Sequence, residues 1–148
     1  MYSKPKNSLE YSEPVIEQYS DDVVLEVMPQ KTDEDTSSKY VLIKHDYYSS
    51  DSDHGRNMLK TIFIVLANSE FKNLIIYLVD KGTLLLDNSN PLFVSFQSLI
   101  SKSEMIIADD ESLTKYHVNC DLGPNISIQS FSSIAEDYIF LRNIIVLE

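Results

Sequence analysis

The segment EMIIADDESLTKYHV, Glu104 to Val118, decides the fold. A continuous apolar run, Met105-Ile106-Ile107, leads through Ala108 into Asp109-Asp110-Glu111-Ser112, and Leu113 then opens a helical pattern. A strand apolar on both faces belongs to a sheet covered by helices, because a sheet with one wet face alternates apolar with polar residues. The end of such a strand, meeting the start of a helix, is where α/β proteins place their chemistry.

Working outward, the same grammar repeats. Tyr40-Val41-Leu42-Ile43 and Leu74 to Leu78 read as buried strands, Ile126 to Phe131 as a weaker one, and Ile144 to Leu147 as the last. Between them, Met58, Leu59, Ile62, Phe63 and Leu66 recur at helical spacing, which predicts an amphipathic helix from Gly55 to Asn68. Pro91 behind Asn90 predicts a second helix start, with Leu92, Phe93, Phe96, Leu99 and Ile100 along one side. Ser133-Ile-Ala-Glu136 reads as a capping box opening a helix with Ile134, Tyr138 and Leu141. Strands alternating with helices make the expected fold an α/β, flavodoxin-like three-layer sandwich with a mainly parallel sheet of about five strands.

The chain has 148 residues, enough for one ordinary core, and its net charge is -11. That charge repels phosphate backbones and anionic headgroups, so nucleic acid and membrane surfaces are not expected partners. The charge is uneven: Met1–Ser38 holds 3 Lys against 9 Asp plus Glu, net -6, leaving net -5 for Lys39–Glu148. The first part reads as an acidic arm with one edge-strand piece, Val23 to Val27, and a linker from Gln30 to Ser38. The folded domain is expected over Lys39–Glu148. One cysteine, Cys120, allows no internal disulfide, and no signal core is visible. No apolar run approaches the ~20 residues of a membrane helix. A soluble, cytoplasmic protein is expected.

Three loops leave the carboxyl ends of the first three strands: His45 to Gly55, Val79 to Thr83, and Asp109 to Ser112. Their order and content resemble the DsrE-like sulfurtransferase domains, in particular the C-terminal half of the selenium-metabolism protein YedF. In that family an acidic loop runs into a helix beginning Leu-Gly-Arg, and Ser50-Asp-Ser-Asp-His-Gly55-Arg56-Asn-Met58-Leu59-Lys60 is similar, with His54 in place of Leu. The family's Asn-x-Gly-Val-x-Leu turn resembles Asp80-Lys81-Gly82-Thr83-Leu84-Leu85, and its Cys-Gly-Thr-Cys-Leu falls on Asp109-Asp110-Glu111-Ser112-Leu113. A looser likeness continues from Ile128 to Glu148.

The resemblance implies a pocket at Gly55, Asp80, Gly82, Asp109, Asp110 and Ser112, and the departures from it set the expected function. A sulfur carrier needs a thiol whose thiolate and persulfide are held by a helix N-terminus. Both family cysteine positions are filled here, by Asp109 and Ser112. YedF's N-terminal sulfur-carrier domain, built around Cys-Pro, has no counterpart in Met1–Ser38, which lacks cysteine. The expected protein is therefore non-catalytic: a binding or regulatory module tied to sulfur or selenium metabolism, acting through self-association or through a protein of such a pathway. Related domains associate, and an apolar edge such as Ile144 to Leu147 calls for covering. No cofactor is implied.

Other chemistries remain open at this level. The acidic loop ends could instead hold a divalent metal if Asp51, Asp53 or Asp80 approached Asp109, although capping of a helix start explains the same carboxylates. They oppose phosphate binding, and the chain has only three glycines, Gly55, Gly82 and Gly123. A phospho-acceptor receiver shares the architecture and could use Asp46, but it needs a lysine after the fifth strand, which Ile144 to Glu148 does not supply. Cys120 could carry sulfur, yet a carboxylate neighbour, Asp121, should raise its pKa. His45 and His54 lack a Ser or Cys partner at a recognisable spacing, and Tyr47-Tyr48 could form an aromatic contact surface.

Overall fold

The architecture follows from where each apolar run can find cover. The structure, a computed structural model, describes residues 38–148 apart from 122 and 142. The acidic arm, its strand piece Val23 to Val27 and the linker up to residue 37 lie outside the described residues.

Strands β1 (Ser38–Ile43), β2 (Asn73–Leu78), β3 (Met105–Asp109), β4 (Ile126–Gln129) and β5 (Ile144–Leu147) form one sheet, every pairing parallel, in the order β4-β3-β2-β1-β5. The register sets Ile43 beside Leu78 and Leu78 beside Ala108, so the loops after the first three strands leave the sheet side by side. On the other flank of β1, Tyr40 pairs with Ile144 and Ile43 with Leu147.

The helices are α1 (Asp53–Ala67), α2 (Phe93–Lys102), α3 (Asp110–Lys115) and α4 (Phe131–Phe140), with a 3-10 helix over Asp80–Leu86. From β1 to β4 the chain steps one way across the sheet, so right-handed crossovers place α1, α2 and α3 on the same face. The return from β4 to β5 runs the opposite way and places α4 on the other face. The side chains sort accordingly. Val41, Ile43, Leu74, Ile76, Leu78, Ile106 and Ala108 pack with Leu59, Phe63, Phe96 and Leu99. The alternate residues Leu42, Tyr77 and Ile107 pack with Ile134 of α4.

The first face is the thicker layer. Phe63 and Phe96 meet there with ring centroids 5.1 Å apart and tilted 50°, joining α1 to α2. Each such fully buried side chain is worth roughly 1.5–3 kcal/mol of transfer free energy. The second face is covered among the described residues by α4 alone, leaving Phe131, Tyr138, Ile139 and Phe140 exposed. No helix among the described residues is long and apolar enough to cross a membrane.

Several boundaries differ from the sequence expectation. The helix expected at Pro91 begins instead at Phe93, because the Asn90 side chain accepts from Leu92 N at 2.8 Å and donates to Asp46 Oδ2 at 3.0 Å, holding the preceding turn outside the helix. The capping box at Ser133 is not used. Ser130 offers the same oxygen one turn earlier and accepts from Ser133 N, so β4 stops at Gln129 and α4 opens at Phe131. The segment after β2, expected as a turn, is a two-turn 3-10 helix that buries Gly82, Thr83, Leu85 and Leu86.

Candidate functional site

β3 passes into α3 without a loop, and Asp109 serves both, as the last strand residue and the helix N-cap. Its extended backbone (φ -74°, ψ 123°) lets the side chain turn back over the helix start. Asp109 Oδ2 accepts from Ser112 N at 3.2 Å and from Ser112 Oγ at 2.5 Å. Ser112 Oγ in turn accepts from the Asp80 backbone N–H at 2.8 Å. A hydroxyl has one proton to give, and Ser112 gives it to Asp109. Both residues are enclosed, Asp109 at 5% and Ser112 at 7% exposure.

Asp80 closes the arrangement from the neighbouring strand end. It adopts a left-handed backbone, φ 51°, which turns the chain from β2 into the 3-10 helix and aims its N–H at Ser112. Its carboxylate lies outside and accepts from Tyr116 Oη at 2.6 Å. Tyr116 was not expected at the site. Its signal was its position four residues after Ser112, one helical turn along. Asp109 Oδ1 is buried with no hydrogen-bond partner among the described residues.

The two glycines of the expected pocket act as spacers. A Cβ on Gly82 would stand 2.2 Å from Ile43 O, so only glycine lets the 3-10 helix lie against the end of β1, where Gly82 N donates to Lys44 O. A Cβ on Gly55 would stand 1.9 Å from Ser50 O. Gly55 N donates to the α1 cap Ser52 Oγ and its carbonyl accepts from Tyr48 N, so this glycine folds the first loop onto the helix start. Asp110 is exposed on the first turn of α3.

The metal alternative meets a different arrangement. Asp51 and Asp53 turn to Arg56, at 2.9 Å and 3.6 Å, and the hydrogen bond that the guanidinium donates to Asp51 foremost raises its pKa. Among the described residues no three His, Cys, Asp or Glu side chains converge as a metal site. Asp46 is taken by Asn90. His45 stacks on Tyr47 at 4.7 Å, and Tyr48 packs against the core, so the two tyrosines do not form a shared outer surface.

Cys120 lies elsewhere. It lines a groove of about 910 Å³ beside Leu86, Phe93, Ile100, Asn119 and Asn125, and neither Asp109 nor Ser112 borders that space. Burial, followed by the charges of Asp121 and Asp87, pushes the Cys120 thiol up from its ordinary pKa, away from the thiolate a sulfur carrier uses. Asp87 is itself held below the usual carboxylate range by hydrogen bonds from Asn119 N and from Ser89.

No protein-family model matches the sequence, and no curated protein matches it. Among solved structures, the crystal structure of the ychN protein from E. coli superposes with a TM-score of 0.50 and 12% identity, over 74% of this chain and 99% of that one. At this identity the likeness shows the fold, which is DsrE-like: an α/β domain on a parallel five-stranded sheet.

Proposed function

We propose that this chain is a non-catalytic DsrE-like domain of the YedF C-terminal type, serving as a binding or regulatory module in sulfur or selenium metabolism. One observation carries the reading. Where the family's cysteines fall in the sequence, Asp109 and Ser112 bond to each other and to the Asp80 amide, with both side chains enclosed. A carboxylate accepts hydrogen bonds and can cap a helix, but it has no sulfur atom to extend as a persulfide. Ser112 likewise has no sulfur, and its hydroxyl is enclosed between Asp109 and the Asp80 amide, away from an incoming substrate. Function then lies in what the domain binds, whether a second copy of itself or a protein of the pathway.

The test is to incubate the protein with a polysulfide donor and measure intact mass. The expected result is no gain of sulfur under conditions that load a reactive carrier cysteine. A one-sulfur gain that maps to Cys120 would overturn the reading in favour of a carrier.

A further inference from the structure

The second face of the sheet is unevenly covered. α4 crosses it and packs Ile134 onto Leu42, Tyr77 and Ile107, while among the described residues four other apolar side chains of α4 stay exposed. Phe140 is 80% exposed, Ile139 70%, and Phe131 and Tyr138 about half. Alongside runs an apolar groove of about 400 Å³, lined by Leu42, Val79 and Val146 and by Phe131, Ala135, Tyr138 and Ile139 of α4 itself. Scattered exposed apolar residues need no explanation; a helix with four of them beside an apolar groove does.

We propose that a second copy of this chain covers that face through a two-fold contact, α4 of each copy lying in the groove of the other with Ile139 against its floor. A two-fold contact uses the same patch twice, so the patch must supply both the ridge and the hollow, and this one has both. The area suffices. Three rings of roughly 150–250 Å² and Ile139 expose about 400 Å² per copy, and with the groove walls they cover a pair removes on the order of 1,000 Å², where specific interfaces begin. At the border of the groove Lys44 is already paired with Glu148 of its own chain at 3.3 Å, so the contact rests on apolar burial. The rest of the surface is acidic and two copies repel, so salt should tighten the contact. This deepens the self-association branch of the proposed function and is independent of whether Asp109 and Ser112 are chemically inert.

The experiment is light scattering on the full chain over a concentration series, with Ile139→Asp and Ala135→Trp as variants and thermal melting to show that each remains folded. The expected result is a two-chain mass at about 50 µM whose dissociation constant each variant raises at least roughly tenfold, the loss of one buried contact residue. Added salt should lower the wild-type constant. A one-chain mass at every concentration overturns the proposal, as does an assembly that Ile139→Asp leaves intact or one that salt weakens, which would be held by ion pairs and not by the apolar face. None of these outcomes bears on sulfur loading, so the two proposals fail separately.

Discussion

Tyr77 donates its phenolic proton to Asp137 Oδ2 at 3.0 Å, joining the middle of the sheet to α4 on the thinly covered face. Burial, then the bond and the charge of Asp137, push the phenol pKa well above its ordinary value. A group whose folded-state pKa is raised contributes stability that is complete below its unfolded value, near pH 10, and is lost as pH rises through the folded value. Stability should therefore fall steeply above about pH 10, with Tyr77→Phe flattening that fall at a loss of about 1 kcal/mol at neutral pH. Urea denaturation across the alkaline range checks both.

Ser112→Ala removes the hydroxyl that links Asp109 to the Asp80 amide. Two buried groups lose a partner at once, so a loss of about 1–3 kcal/mol is expected. Asp110→Asn, one residue past the cap and exposed, should cost less than about 1 kcal/mol, the first-turn dipole contribution. Chemical denaturation of the two variants side by side reads the difference.

Gly82→Ala and Gly55→Ala should each destabilise severely, on the order of 3 kcal/mol or more, because each new methyl meets a backbone carbonyl that cannot move aside. Gly123→Ala is the control. Its Cβ would meet its nearest neighbour, Asn125 Oδ1, at 3.7 Å, so the melting temperature should stay close to wild type.

Cys120 should alkylate slowly. With the thiol pKa raised, the thiolate fraction at pH 8 is below that of a free thiol, and the rate should climb as pH increases beyond the ordinary thiol range. Iodoacetamide kinetics against a short cysteine peptide measure this, and Asp121→Asn should speed the reaction.

How much of this could be read from the chain depends on the range of the interaction. β1, β2, β3 and β5 were legible because each is a continuous apolar run, and such a run needs cover on both sides. Asp109 as a strand end facing a helix was legible for the same local reason. The exact starts of α2 and α4 were not, since Asn90 is held by Asp46, 44 residues away, and Ser130 competes with Ser133 for one cap. The bond from Tyr116 to Asp80 spans 36 residues and exists only once β2 and β3 lie side by side. The Arg56 pairs with Asp51 and Asp53 were within reach of sequence, being near neighbours, but the density of carboxylates concealed which ones the arginine would take.

The strand order also sets a schedule for synthesis. β1 through β4 emerge from a ribosome in the order in which they stand in the sheet, so each can dock on its predecessor as it appears. The far edge of β1 must wait for residues 144–147, since Val41 pairs there with Ile145. Until they arrive, a nascent chain carries a bare apolar strand edge in the interior of its future sheet, and loops of this span close slowly. Chaperone engagement should accordingly last until residues 144–147 have emerged and docked on β1, which makes β5 the latch of the sheet.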